Sequence, residues 1–362
     1  METKENVPVK NIEQELANLR KICQEKKTVQ ACLFNLIIYT QEPRRTIYFQ
    51  ELVQRVIEKF PCRIIFIESN NDASDYLEST VSTETIGEGE TAIICEQITL
   101  KVSGKKRDRI PFIILTNLVP DLPVYLIWGE DPIQKNEILD SLQKIATSVI
   151  FDSESTDNLQ HFSQVMFDHA HSADCDIIDM NWMRISSWRD VIAKTFDTPE
   201  KIRQLQHAQS IQINYNDKTS ETFRHQKIQS TFLQAWLAAQ LKWHFTSIES
   251  KGETIQFNYN NIAHHPLTIE IIPQSRENLS PGTILGVNVV TEEHYHFEII
   301  RKDDTPFVTV TVSTEETCEV PVRLPLLNHQ RRFAYIREMF YGCHSDQYPN
   351  MLKMLTKQEC PT

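Results

Sequence analysis

The apolar positions of this chain fall into two regimes. Between about residues 30 and 200, short continuous apolar runs alternate with stretches of helical spacing; between about 209 and 322, apolar and polar residues alternate one by one. The clearest run lies within Leu118–Pro132. Its centre, Leu122 to Trp128, has no charge and no alternation, the pattern of a strand buried on both faces of a parallel sheet. Pro120 and Pro123 suit the start of such a strand, because proline has no N–H for the ladder. Gly129 allows a turn, Asp131 can cap a helix and Pro132 fits a first helical position. Ile138, Leu142, Ile145 and Val149 continue with helical spacing. Strand ends of this kind are where open α/β sheets take ligands, though a plain core strand reads the same way.

The surrounding pattern extends this unit. A helix is predicted over residues 11–25, with Ile12, Leu16, Leu19 and Cys23 on one stripe, and a strand over 30–40. A helix follows from Ile47 to Phe60, stopped by Pro61, and then a strand from Cys62 to Glu68. Residues 69–90 are polar and predict an exposed loop; Thr91–Val102 predicts a long strand, and 110–118 fits either a short helix or a strand. A strand near Ser148–Phe151 and a helix over Asp157–His171 complete an α/β domain with a mainly parallel, mixed sheet covered by helices. Later, Gln209–Tyr215 reads as a strand and Ser230–Phe245 as a helix. Alternation such as Thr268-Ile269-Glu270-Ile271 and Val308-Thr309-Val310-Thr311 predicts an antiparallel sheet with one wet face, its dry face covered by that helix. Asn328–Tyr341, ending at Gly342, and Pro349–Lys357 read as C-terminal helices. The predicted division is an N-terminal helix (1–29), an α/β domain (30–208), an α+β domain with an antiparallel sheet (209–327) and a helical tail (328–362).

Composition narrows the function. A formal charge of −12 over 362 residues disfavours binding to nucleic acid, which needs cations to displace counterions, and binding to anionic membranes. Lys105-Lys106-Arg107-Asp108-Arg109 is short and acid-interrupted, so it reads as a solvated turn. No apolar run is long enough to span a membrane, and the polar Met1–Lys10 lacks a signal core. The eight cysteines show no CxxC pairing, and Cys23, Cys32, Cys62 and Cys95 sit in or beside apolar segments as reduced thiols do. These features predict a cytoplasmic chain.

Candidate chemistry is sparse. Gly87-Glu88-Gly89-Glu90-Thr91-Ala92 matches a relaxed dinucleotide fingerprint, but no strand precedes it, a strand rather than a helix follows, and its glutamates would repel a pyrophosphate. His294, His296 and Glu298 would share a strand face, which is weak metal-ligand spacing. No catalytic set, metal site or cofactor is implied. The most unusual stretch is Asp179–Asp190, in which Ser187 and Asp190 fit a capping box before the stripe Trp188, Val191, Ile192 and Phe196, and Thr198-Pro199-Glu200 opens another helix. Two tryptophans and two arginines within eight residues, Trp182, Arg184, Trp188 and Arg189, have the composition of a protein-binding hot spot. They fit equally well an internal clamp in which the arginines pair with Asp179 and Asp190.

The run Asp121-Leu122-Pro123-Val124-Tyr125-Leu126-Ile127-Trp128, followed by Asp179-x-Asn181-Trp182-x-Arg184-x-Ser186-x-Trp188-Arg189, resembles the glucose-6-phosphate dehydrogenase assembly protein family (OpcA-like). Phe34–Tyr39, Pro61–Ile65 and Ile150-Phe151-Asp152-Ser153 fit the same family in order and spacing. The chain departs from the family where Ile127-Trp128 replaces a tandem tryptophan and Ser186-Ser187 replaces a Thr-Pro. The resemblance implies a non-enzymatic partner that binds glucose-6-phosphate dehydrogenase and promotes its assembly or active state, with Asp121, Trp128, Asp179, Asn181, Trp182, Arg184, Trp188 and Arg189 as its motif residues. Some photosynthetic members tie this activity to thiol redox state, but the spacing of Cys343 and Cys360 gives no warrant for a disulfide. Two rival readings stand beside it: a lactonase- or isomerase-like sugar-phosphate enzyme using Glu130 and Asp131, and an oligomer held by the tail aromatics Phe333, Tyr335, Phe340 and Tyr341.

Overall fold

Continuous apolar runs become the middle of a sheet, and alternating runs become a second sheet with one wet face. The computed structural model describes residues 2–24, 29–70, 74–87, 92–302, 305–326 and 346–359. They form two units, Met1–Ser155 with Ala173–Ile177, and Thr156–Ser172 with Ile178–Thr362.

In chain order the first unit holds β1 (Glu2–Lys4), α1 (Ile12–Gln24), β2 (Val29–Gln30), β3 (Asn35–Thr40), α2 (Pro43–Ile57), β4 (Arg63–Asn70), β5 (Leu77–Ile86), β6 (Ile93–Ser103), α3 (Ile110–Asn117), β7 (Val124–Trp128), α4 (Glu137–Gln143) and β8 (Ser148–Phe151). The chain leaves this unit within β9 (Asp176–Asp179). The sheet order is β1-β5-β6-β4-β3-β7-β8-β9, with β2 beside β6. Neighbours from β6 through β8 are parallel, whereas β5 and β1 are antiparallel additions at one edge. Every residue of β3 and β7 is buried, as the uncharged sequences require. Leaving aside β1, β2 and β5, the strands counted along the chain lie in the order 3-2-1-4-5-6. That is the doubly wound order, which reverses between β3 and β7.

The second unit contains α5 (Leu159–Ser172), α6 (Met180–Arg184), α7 (Ser186–Thr195), α8 (Pro199–Gln206), β10 (Ala208–Asn216), α9 (Ile228–Gln240), β11 (His244–Lys251), β12 (Thr254–Asn260), β13 (Pro266–Gln274), β14 (Ile284–Thr291), β15 (His296–Arg301), β16 (Phe307–Ser313), β17 (Val322–Pro325) and α10 (Gln347–Leu355). The sheet order is β11-β12-β13-β10-β14-β15-β16-β17. It is antiparallel except where β10 lies parallel to β13. In β12 the side chains Ile255, Phe257 and Tyr259 are buried while the residues between them are half-buried. Helix α9, buried from Ile228 to Ala238, packs against β10 and β13. Its one central polar side chain closes a ring. Tyr259 Oη donates to Gln234 Oε1 (2.5 Å), Gln234 Nε2 to Gln358 Oε1 (2.8 Å), and Gln358 Nε2 to Tyr259 Oη (2.6 Å). All three groups are buried and satisfied, so residues beyond α10 are tied to the core.

Several expectations change. Residues 77–86 are a strand, not an exposed loop: β5 is polar in sequence, but its Thr and Ser side chains pack where Val81 faces Ile98 across the ladder. Helix α2 begins at Pro43 rather than Ile47, because Pro43 supplies the first helical φ. Asp131 does not cap a helix. Its Oδ1 accepts from Ile133 N (3.0 Å) in a turn, and α4 starts later, capped by Asn136, whose Oδ1 accepts from Ile138 N (3.0 Å). That helix stops at Gln143, so Val149 belongs to β8. Residues 110–117 are a helix. The helix expected over Asn328–Tyr341 with Phe333, Tyr335, Phe340 and Tyr341, the end at Gly342, Cys343, Cys360 and most of Gly87–Ala92 lie outside the described residues.

Candidate functional site

Two clusters carry the motif residues, one in each unit. In the first unit, Tyr39, next to last in β3, and Trp128, the last residue of β7, are paired in register at the reversal point. Their rings stack 4.2 Å apart and only 5° from parallel. Tyr39 Oη accepts from Gln41 Nε2 (2.9 Å) and from Arg107 Nη2 (3.1 Å). Gly129 N donates to Tyr39 O (2.9 Å). A Cβ on Gly129 would stand 2.5 Å from Phe49 Cε2 and 2.9 Å from Tyr39 O, so no larger residue fits without displacing the backbone.

The next residue reaches across the sheet end. Glu130 Oε1 accepts from Gln41 N at 2.5 Å, and the Glu42 amide is near enough to favour the charged carboxyl. Gln41 and Glu42 lead into α2, whose own N-cap makes no side-chain cap bond. Glu130 therefore ties down the turn that leads into α2 from 89 residues away. Burial pushes its carboxyl up to about 7; the two backbone hydrogen bonds and the Arg107 charge pull the other way, and the Glu42 charge adds to the rise. One turn into α2, Arg45 is buried against Asp152, with Nε donating to Oδ2 at 2.7 Å and Nη2 close beside the same oxygen. The Arg45 guanidinium also lies 4.3 Å from the Tyr48 ring and 5.2 Å from the Phe49 ring. Asp121 is exposed in the turn before β7, at φ 62°.

The second cluster is built locally. Asp179 Oδ1 accepts from Asn181 N (2.7 Å) and Trp182 N (3.1 Å), so it is the true N-cap of α6. The cap expected at Ser187 is not formed, because α7 starts at Ser186 and places Ser187 inside its first turn. Asn181 Oδ1 accepts from Arg184 Nη1 (2.6 Å), and the Arg184 guanidinium lies 4.9 Å from the Phe223 ring. Arg189 stacks on Trp182 with its guanidinium carbon 3.4 Å from the ring centroid. On its other contacts, Trp182 meets Tyr348 of α10 at 5.4 Å. Tyr348 is enclosed, and burial with the nearby Asp179 charge drives its phenol well above the usual range. Asp179, Asn181, Trp182, Trp188 and Arg189 are all buried. These five side chains face inward and Arg184 is half-buried, and the two arginines meet Asn181, Phe223 and Trp182.

The structure thus gathers Asp179, Asn181, Trp182, Arg184 and Arg189 into one cluster, with Trp188 in the core of the same unit, while Asp121 and Trp128 stand at opposite ends of β7. Sequence reasoning missed the Arg45–Asp152 pair, although Arg45 shares a helical stripe with Phe49, Leu52 and Val56 and so was marked as an inward cation. It also missed Phe223 and Tyr348, which no sequence signal links to the motif. His294 sits in a turn at φ 61°, outside β15, so the strand face proposed for His294, His296 and Glu298 does not form. Among the described residues no group of three or more His, Cys, Asp or Glu side chains is arranged to hold a metal ion, and no helix is long and apolar enough to cross a membrane.

Comparison with known proteins places this geometry. Residues 53–167 match the family model described as the glucose-6-phosphate dehydrogenase subunit N-terminal domain, and residues 175–324 match that of its C-terminal domain. A protein of Nostoc punctiforme named OxPP cycle protein OpcA is 26% identical over 195 residues, covering 53% of this chain and 40% of that one. Its namesake from Synechococcus elongatus is 24% identical over 245 residues, 64% and 52% of the two chains. The chain thus spans two-fifths to about half the length of these relatives. Among solved structures, a mutant 3-ketoreductase from Actinomadura kijaniata in complex with TDP-benzene and NADP aligns over 90% of this chain and 96% of its own, at 10% identity and a TM-score of 0.50. An NAD binding oxidoreductase from Klebsiella pneumoniae aligns over 91% and 96%, at 9% identity and a TM-score of 0.50. At these identities the likeness is one of fold.

Proposed function

The chain belongs to the OpcA-like glucose-6-phosphate dehydrogenase assembly family, and from that premise we propose that it is a non-catalytic partner of glucose-6-phosphate dehydrogenase. In this reading it binds the enzyme and favours its assembled, active form in the oxidative pentose phosphate pathway. The observation that carries it is the pair of family matches, in chain order, over residues 53–167 and 175–324.

The buried motif gives the reading a physical form. Asp179, Asn181, Trp182, Arg184, Trp188 and Arg189 act from beneath, fixing α6 and α7 against α10, and the surface those helices present does the touching. A contact of the usual size would bury on the order of 1,600 Å² in total. Copurification of the full chain with the cognate dehydrogenase tests the proposal. A stable complex is expected; absence of both a complex and any change in dehydrogenase kinetics would sink it.

One observation favours a second reading. Glu130, raised to about 7 at a strand end, has the titration range of a general acid or base. Its oxygen is committed to the backbone of the β3–α2 turn, so we prefer a structural role. Turnover of phosphogluconolactone by the isolated chain would reverse that preference.

A further inference from the structure

A strand order of 3-2-1-4-5-6 brings a dinucleotide's pyrophosphate to the turn after the first strand, at the N-terminus of the helix that follows. Here that turn is Thr40-Gln41-Glu42-Pro43, between β3 and α2. The residues present do not fit the group. No glycine occurs from Asn35 to Ile57, so the backbone cannot be approached as the glycine fingerprint allows. Pro43 has no N–H to offer. The N–H of Gln41 already bonds the Glu130 carboxyl. Glu42 adds a second carboxylate close enough to raise the titration of the first, with Arg107 as the facing cation. A carboxylate does stand near the end of β4, where a ribose would be met. That residue, Glu68, is held by Gln50 Nε2 at 3.1 Å and lies 3.7 Å from Lys101 Nζ.

We propose that the first unit is a dinucleotide-type fold closed from within: the Glu130 side chain, carried on the turn after β7, occupies the place at the start of α2 that a pyrophosphate would take, and the chain binds neither NAD nor NADP. Gly129 makes the closure possible, because only a residue without Cβ lets the chain pass Phe49 and the Tyr39 carbonyl and deliver Glu130 to the turn. The closure is independent of the partner assignment; a chain that bound no dehydrogenase would leave it untouched.

Calorimetric titration of the full wild-type chain with NADP and NAD is the primary test. No heat of binding at millimolar dinucleotide is expected, and saturable binding in the micromolar range would overturn the proposal. A second measurement probes the place itself. Glu130→Ala uncovers the Gln41 amide, so inorganic pyrophosphate should raise the Tm of this variant by a few degrees at matched ionic strength and leave wild type unmoved. An equal response of the two proteins would show that Glu130 does not hold the site. Should the variant fail to fold, amide hydrogen exchange in wild type decides the matter: protection at Gln41 supports the closure, and free exchange there contradicts it.

Discussion

The two motif-bearing clusters achieve rigidity by opposite means. At the reversal point of the first sheet the ties are long in sequence: Glu130 reaches Gln41, and Asp152 reaches Arg45 across 107 positions. In the second unit Asp179, Asn181, Arg184 and Arg189 bond or stack within a few residues of one another, and only Tyr348 and Phe223 come from afar. Both clusters point inward, yet their failure modes differ. Removing a long-range tie leaves a buried group with no local substitute, whereas a local cap or clamp is replaced in part by water or a neighbour. The two clusters therefore differ in construction, one a sheet end held by long-range ties and the other a helix pair held by local ones.

Breaking the long-range ties should have the largest effect. Arg45→Met leaves Asp152 buried without its cationic partner, and should cost about 3–5 kcal/mol in urea unfolding. Adding Asp152→Leu should recover most of that loss; a double variant no better than the single one would show that the pair is not the tie. Glu130 gives the next effect, through pH. The carboxyl titrates near 7 in the fold against about 4.5 when free. Between these values the folded state holds the extra proton, so this group's contribution is fullest below about 4.5 and declines as pH climbs toward 7, by about 3 kcal/mol in all. Glu130→Gln should flatten that decline; parallel pH–stability curves for the two proteins would refute the assignment. Gly129→Ala should cost about 1–3 kcal/mol, because its methyl group meets the Tyr39 carbonyl as well as a movable ring. The smallest loss belongs to the local cluster: Asp179→Ala removes one cap and should cost about 0.5–2 kcal/mol. A cap loss as large as that of Arg45→Met would erase the distinction between the clusters.

The sequence made the middle strands legible because Leu36–Tyr39 and Leu122–Trp128 are apolar without interruption, as doubly covered strands are. It hid β5 because Ser79, Thr80, Ser82 and Thr83 read as surface, although β-branched and small polar side chains pack well along an antiparallel edge. The tie from Glu130 to Gln41 was out of reach, since its partner lies in another strand–helix turn. The Trp–Arg motif was legible as a cluster but not as inward or outward, because an interface anchor and an internal clamp use the same residues. What separated them was burial, a property of the fold and not of the spacing.

On the proposed reading this chain works on another enzyme and performs no reaction itself. The most direct measurement is glucose-6-phosphate dehydrogenase activity across a range of glucose 6-phosphate concentrations, with and without saturating full-length chain. The account predicts a higher apparent affinity for glucose 6-phosphate, within the roughly 5–150-fold range of allosteric couplings, and no NADP turnover by the chain alone. Superimposable curves with no complex, or turnover by the isolated chain, would contradict it.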